Sequence, residues 1–205
     1  MKRNALIPSL ILALALTAPG YAQQSHEVGI WVSQPVINRS NALEGLPLAL
    51  DLDEQTGFGV GSRRTFSDRW ALSLDAMSVK ADATLDDAGT TVADLGPLSL
   101  TPIAAVAQFR LFRNVWVGAG AAYVITGDLS SADLDAAGIG DIQLDNEIAP
   151  VAAAGIDVPL SRRISLSFDA RYMPLELRAK IAGDEEKSTI TVDPLIVSAG
   201  IRVRL

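Results

Sequence analysis

The sequence predicts an all-β fold, an eight-stranded antiparallel up-and-down transmembrane β-barrel of the outer-membrane type, and three observations carry that expectation. The stretch "RISLSFDARY" (163–172) puts Ile164, Leu166, Phe168, Ala170 and Tyr172 on one parity and Ser165, Ser167, Asp169 and Arg171 on the other. Strict alternation of this kind marks a strand with one apolar and one polar face. Tight connections alternate with long ones along the chain, the pattern of an up-and-down membrane barrel. Finally, 49% of the residues are hydrophobic, yet beyond the N-terminal segment no unbroken apolar run is long enough for a spanning helix. A membrane barrel reconciles these facts, because its lipid-facing residues occupy alternate positions and its polar parity faces inward.

Taken in order, residues 1–22 read as a cleaved secretory signal peptide: Lys2 and Arg3, an apolar run from Ala5 to Ala18, and the small-residue site Gly20-Tyr21-Ala22. Residues 23–205 then form one outer-membrane β-barrel domain. A first strand lies near 26–34, with Trp31 inward by parity. Strands near 55–66 and 69–80 meet at Ser67-Asp68; Trp70, Leu72 and Leu74 face out, Ser73 and Asp75 in. Strands near 97–111 and 115–126 meet at Arg113-Asn114, with Val115, Val117, Ala119, Ala121 and Tyr123 outward and Gln108 and Arg110 inward. Strands near 147–160 and 163–176 meet at Ser161-Arg162 and point Asp157, Asp169 and Arg171 inward. The last, near 188–205, alternates Leu195, Val197, Ala199, Ile201, Val203 and Leu205 outward against Ser198, Arg202 and Arg204. Most of these exceed the roughly five or six residues of soluble strands and suit the ~9–11 of a tilted membrane strand. The remaining connections, near 35–54, 81–96, 127–146 and 177–187, are long.

Charge sorts with connection length. Acidic residues crowd the long connections (Asp82, Asp86, Asp87 and Asp94 in the second), whereas Arg63, Arg64, Arg69, Arg110, Arg113, Arg162, Arg163, Arg202 and Arg204 gather near the short turns and the C-terminus. Hydrophilic loops explain acid in loops but not this separation of sign. The expected topology is an outer-membrane barrel with both termini periplasmic and the long connections outside. Phe66, Trp70, Phe112 and Trp116 flank the short turns, and Tyr123 and Tyr172 lie about ten residues higher. Ten residues at ~3.3 Å rise and ~45° tilt span about 23 Å, near the ~25 Å apolar band of such barrels.

The same composition excludes other classes. A net charge of −7 argues against nucleic acid, which needs a basic patch. Without cysteine there is no disulfide framework, thiolate metal site or cysteine nucleophile. His26 is the only histidine, and no Gly-x-Ser-x-Gly, phosphate loop or metal-ligand cluster appears. The expectation is a protein that is not an enzyme, with no cofactor and no bound metal.

An eight-stranded barrel has an interior just wide enough for side chains. The candidates for its lining are Trp31, Asp75, Gln108, Arg110, Asp157, Asp169, Arg171 and Arg202, and charges of both signs in that space should pair, with Asp169, Asp75 or Glu27 expected against Arg171. Such pairs read either as a structural plug or as a selectivity filter. Inward glycines (Gly57, Gly59, Gly61, Gly118, Gly120, Gly155, Gly200) either leave volume for a path or relieve crowding in a tightly curved wall. Pro102, Pro150, Pro174 and Pro194 lie about 10–12 residues from the nearest short turn or terminus. Proline donates no ladder hydrogen bond, so these four either end the membrane-spanning strands or mark a lateral opening.

Several stretches resemble the outer membrane protein W (OmpW) family. They are "TGFGVGSRRTFSDRWALSLDA" (56–76), "LSLTPIAAVAQF" with "VWVGAGAAYVITGD" (98–109, 115–128), "ISLSFDARYMPLE" (164–176) and "VDPLIVSAGIRVRL" (192–205). The resemblance spans nearly the whole mature chain. It implies an eight-stranded barrel with a narrow, partly hydrophobic channel, linked to passage of small hydrophobic molecules, and a C-terminal strand read by the barrel-assembly machinery. Leu205 stands where the family usually ends in an aromatic residue. The expected partners are therefore outer-membrane lipid, that machinery and small hydrophobic solutes. Three functions stand: a channel for small hydrophobic molecules, a surface interaction barrel of adhesin or receptor type, and a structural barrel without transport. An interaction barrel should project long strands, whereas the Gly, Pro and Asp of the long connections predict loops.

Overall fold

The computed structural model describes residues 25–37, 40–41, 48–87, 90–129, 131, 142–181 and 187–205. The predicted signal peptide lies outside the described residues. In chain order the strands are β1 (His26–Ile37), β2 (Ser40–Asn41), β3 (Leu48–Thr65), β4 (Trp70–Asp87), β5 (Thr90–Arg110), β6 (Val115–Thr126), β7 (Ile142–Leu144), β8 (Glu147–Pro159), β9 (Ile164–Tyr172), β10 (Leu175–Ile181), β11 (Lys187–Val192) and β12 (Pro194–Arg204).

Alternating side chains make each long strand two-faced, and hydrogen bonding to neighbours on both edges is what removes unpaired backbone from lipid. Antiparallel pairing runs β1-β12-β9-β8-β6-β5-β4-β3, and β3 returns to β1, closing an eight-stranded barrel. Two of the three short turns are stapled by serine. Ser67 Oγ accepts from the Arg69 and Trp70 amides (3.4 and 3.1 Å), and Ser161 Oγ accepts from those of Arg163 and Ile164 (3.2 and 3.0 Å). Parity resolves as expected for a membrane wall: Phe168 is 48% exposed on the outside, while Asp169 and Arg171 on the same strand are buried inside.

The long connections differ from expectation. β3, β4 and β5 hold 18, 18 and 21 residues, and β3 and β4 pair from Thr65↔Ala71 to Leu48↔Asp87. Much of 35–54 and 81–96 is therefore strand rather than loop. The ladder is made by backbone, so it continues past the apolar band wherever no proline or turn stops it, whatever the charge of the side chains. Two glycines shape this extension. Gly57 sits at a bulge against β4, where a Cβ would lie 2.1 Å from the Ser78 carbonyl oxygen. Gly96 takes φ 86° beside a second bulge, a conformation that favours glycine.

The strands expected at 163–176 and 188–205 are each interrupted. β9 ends at Tyr172 before Met173-Pro174, and Asp193 separates β11 from β12. Beyond those breaks β10 pairs with β11 and β7 in a separate three-stranded sheet. Proline supplies no N–H to carry the ladder across Pro174. Trp116, grouped by sequence with the aromatics that flank the short turns and mark one edge of the apolar band, does not face lipid but lies inside, 3% exposed, since its parity opposes that of Val117 and Tyr123.

Candidate functional site

The barrel interior is layered. Nearest the short turns, Arg63 on β3 reaches Glu27 on β1 (Nη2–Oε2 2.5 Å, Nε–Oε2 3.0 Å) and Asp157 on β8 (Nη1–Oδ2 2.5 Å). Arg204 adds a contact of 3.1 Å to the other Glu27 oxygen. Above them, Arg171 on β9 pairs with Asp169 (2.8 Å) and, across the barrel, with Asp75 on β4 (3.0 Å). The Arg171–Asp169 contact is a hydrogen bond; the one to Asp75 is an ion pair off hydrogen-bond angle. Arg202 donates to Ser167 Oγ at 3.1 Å and stands 3.9 Å from Asp157. Pairing is what makes burial of Arg63 and Arg171 tolerable, whereas Arg202 has a looser ion pair and neither of its Nη atoms makes a hydrogen bond among the described residues.

Trp31 packs beside two of these arginines. The Arg171 and Arg202 guanidinium carbons lie 5.6 and 5.5 Å from its ring centroid, within cation–π range. The wall beside the indole is glycine: a Cβ at Gly59 would sit 1.9 Å from Trp31 Nε1, at Gly61 2.7 Å from Cη2 and at Gly200 2.5 Å from Cβ. Gly155 leaves the same kind of space for Trp116, 2.5 Å from its Cζ2. At Gly59 and Gly155 the room left by glycine is occupied by indole, at Gly61 by the Asp75 carboxylate together with the indole edge, and at Gly200 by the backbone of β1 and the Trp31 Cβ, so neither open volume nor curvature alone accounts for them.

Higher up the interior turns apolar. Ser198 donates to Ser33 and Ser33 to Met77 Sδ; beyond that pair the buried residues include Val79, Leu100, Ala122, Val124, Ala149, Val151, Met173, Leu175, Leu177 and Ile196. The structure thus sets charge at the short-turn half and hydrocarbon at the other. Of the residues singled out by sequence, Trp31, Asp75, Asp157, Asp169, Arg171 and Arg202 come together. Gln108 is buried but bonds Ser73 at 3.3 Å. Arg110, expected in the plug, is instead half-buried at the rim. As the last residue of β5 it reaches down to the Asp68 carbonyl oxygen (3.3 Å), beside a cleft of only about 10 Å³. Glu27, one of the expected partners of Arg171, turns instead to Arg63 and Arg204, and Arg63 completes the plug; its inward parity was readable, but a charge close to a turn looks like rim.

The prolines do not share one environment. Pro102 and Pro194 are buried and Pro150 is exposed. At Pro102 the β4–β5 ladder lacks two pairs, between Ala76↔Ile103 and Val79↔Leu100. Pro194 begins β12 opposite Ile37, and its carbonyl accepts from Met173. A long interruption lies between β8 and β9. Their ladder stops at Ala152↔Tyr172 and pairing resumes only where β7 meets β10 at Leu144↔Ala179. Pro150 and Pro174 fall opposite each other in the continued register of that seam, which opens inward on Ala149, Val151, Met173 and Leu175. Pro35, unremarked in the sequence because it fell in an expected loop, is buried just past Ser33↔Gly57, where the β1–β3 ladder ends.

The model of the OmpW family matches residues 32–205. Among solved structures, the outer membrane protein OprG from Pseudomonas aeruginosa is similar with a TM-score of 0.73 at 18% identity, covering 89% of this chain and 95% of that one. The outer membrane protein AlkL in lipid bilayers gives 0.66 at 18% identity, with 92% and 93% covered. Outer Membrane Protein W of E. coli gives 0.54 at 14% identity, with 89% and 100% covered. No curated protein sequence matches the chain.

Proposed function

Since the chain belongs to the OmpW family of outer-membrane barrels, we propose that it is a narrow, non-catalytic channel passing small hydrophobic molecules, which leave sideways through the wall. The observation that carries this reading is the unladdered seam between β8 and the β9–β10 segment, placed beside apolar interior and above the charged plug. An apolar solute entering from the long-connection end meets side chains of its own polarity. Straight descent would force it past Arg63, Arg171 and Arg202 with their carboxylates, where desolvation opposes it. At the seam the backbone offers no ladder to break, and the step into lipid exchanges one apolar environment for another. The last strand, β12, is the segment proposed to be read by the assembly machinery.

Replacing Pro150 and Pro174 by Val gives the seam two new N–H donors. In liposomes carrying the folded double variant, uptake of an apolar dye is expected to fall several-fold while a polar solute of the same size is unaffected. Unchanged apolar uptake by the folded variant overturns the lateral route. In the proposed orientation both termini are periplasmic. As the wild-type chain lacks cysteine, Asp128→Cys should react with a membrane-impermeant maleimide on intact cells and Ser161→Cys should not; the reverse labelling overturns the topology.

A second reading, an interaction barrel, gains from the length of β3, β4 and β5, which project as paired strand where loops were expected. It predicts attachment of wild-type cells to a surface or partner with no apolar uptake in liposomes.

A further inference from the structure

The short-turn end carries a feature that the channel reading does not use. Every hairpin there combines an exposed arginine with an exposed apolar side chain. The β3–β4 turn holds Arg69 with Phe66 and Trp70, 50% and 53% exposed; the β5–β6 turn holds Arg113 with Phe112, 71% exposed. The β8–β9 turn holds Arg162 and Arg163 with Leu160, and the chain ends at Arg204-Leu205. Among the described residues Arg69, Arg113, Arg162 and Arg163 make no ion pair, in contrast to the buried arginines above them. Asp68 is the one acidic residue on these three turns. In a chain of net charge −7, this end is a basic collar.

We infer that the collar is a docking surface for anionic phospholipid headgroups in the leaflet at the short-turn end, the periplasmic leaflet in the orientation proposed above. Spaced around a closed barrel, each turn sets an aromatic or aliphatic side chain at acyl-chain level with a guanidinium beside it. Arginine lays its methylenes along apolar surface and keeps its charged head at the interface, where it takes a phosphate through two parallel N–H···O bonds. A headgroup with net negative charge satisfies that donor set. In an ethanolamine headgroup the ammonium offsets the phosphate and would face the same arginines. Cations near an anionic bilayer surface are attracted by about 1 kcal/mol each, roughly fivefold in affinity, so the turn arginines together confer a strong preference.

The test uses the full mature chain, folded in detergent with equimolar phosphatidylglycerol and phosphatidylethanolamine, and counts retained lipid by native mass spectrometry. The wild type is expected to retain phosphatidylglycerol at least tenfold over phosphatidylethanolamine, and the preference should collapse as salt rises from about 0.05 to 0.5 M, because the sites are exposed. Arg69, Arg113, Arg162 and Arg163→Gln together should bring the ratio near one, with folding checked by gel migration of the unboiled sample. If that variant does not fold, Arg113→Gln alone should lower the ratio about fivefold. Equal retention of the two lipids by wild type, or an unchanged ratio in the folded variants, overturns the inference. So does full displacement of the lipid by equimolar glycerol 1-phosphate, which would mark the collar as a site for free phosphate.

Discussion

Arg171→Met is expected to lower the unfolding free energy of the barrel by about 3–5 kcal/mol, the range found when one partner of a buried ion pair is removed. The cause is what the substitution leaves behind. Asp75 and Asp169, both buried on opposite walls, lose the cation that holds them 3.0 and 2.8 Å from its nitrogens. Trp31 loses one of its two flanking guanidinium groups as well. Methionine fills similar volume, so lost packing contributes little. The triple replacement Arg171→Met, Asp75→Leu, Asp169→Leu should recover most of the loss, since exchanging a whole buried ionic group for apolar side chains is often neutral. Urea unfolding in detergent micelles measures both. A single variant as stable as wild type would mean that this layer does not hold the walls together.

Gly59→Val should be nearly as damaging, although valine is favoured in strands and the backbone there has no positive φ. Its Cβ would lie 1.9 Å from Trp31 Nε1 and 2.6 Å from Cδ1 and Cε2. The indole has little room to retreat, since the Gly61 position lies against its Cη2 edge and the Arg171 and Arg202 guanidinium groups stand 5.6 and 5.5 Å from its ring centroid. Overpacking of this kind costs about 1–3 kcal/mol, occasionally more, and here it also disturbs the charge layer. Trp31→Leu in the same chain should relieve the clash, giving a favourable coupling of about 1–2 kcal/mol in a double-mutant cycle. If the glycine served only to let the wall curve, Trp31→Leu would rescue nothing.

The inward set Asp75, Asp157, Asp169, Arg171 and Arg202 could be read from parity, because a strand inverts its side chains at each step and a one-sided wall tolerates no slip. For Arg171 the expected partners Asp169 and Asp75 are both met, but the sequence could narrow the choice only to those two and Glu27. Asp75 is 96 positions from Arg171, and nothing local reveals that β4 and β9 face each other across the barrel, or that Glu27 turns to Arg63 and Arg204. Gly59 and Gly155 illustrate the same limit. Their inward parity was plain, but the indoles that occupy their space come from other strands. Arg110 was misplaced because parity states which face a side chain leaves by, not how far a long, flexible one then reaches along the axis.

By itself the sequence determined the barrel, its strand parities, its short turns and its separation of charge by end, all of which follow from a period of two along the chain and from turn chemistry at fixed positions. The tertiary structure alone decided how far the ladders run past the apolar band, where they break, and which inward groups meet. Ladder length depends on a neighbour's backbone supplying hydrogen bonds, which extended β3, β4 and β5 through acidic sequence and stopped β8 against β9 where Pro150 and Pro174 fall opposite each other. Such pairing is a property of two segments distant in sequence, so it exists only once the barrel has closed.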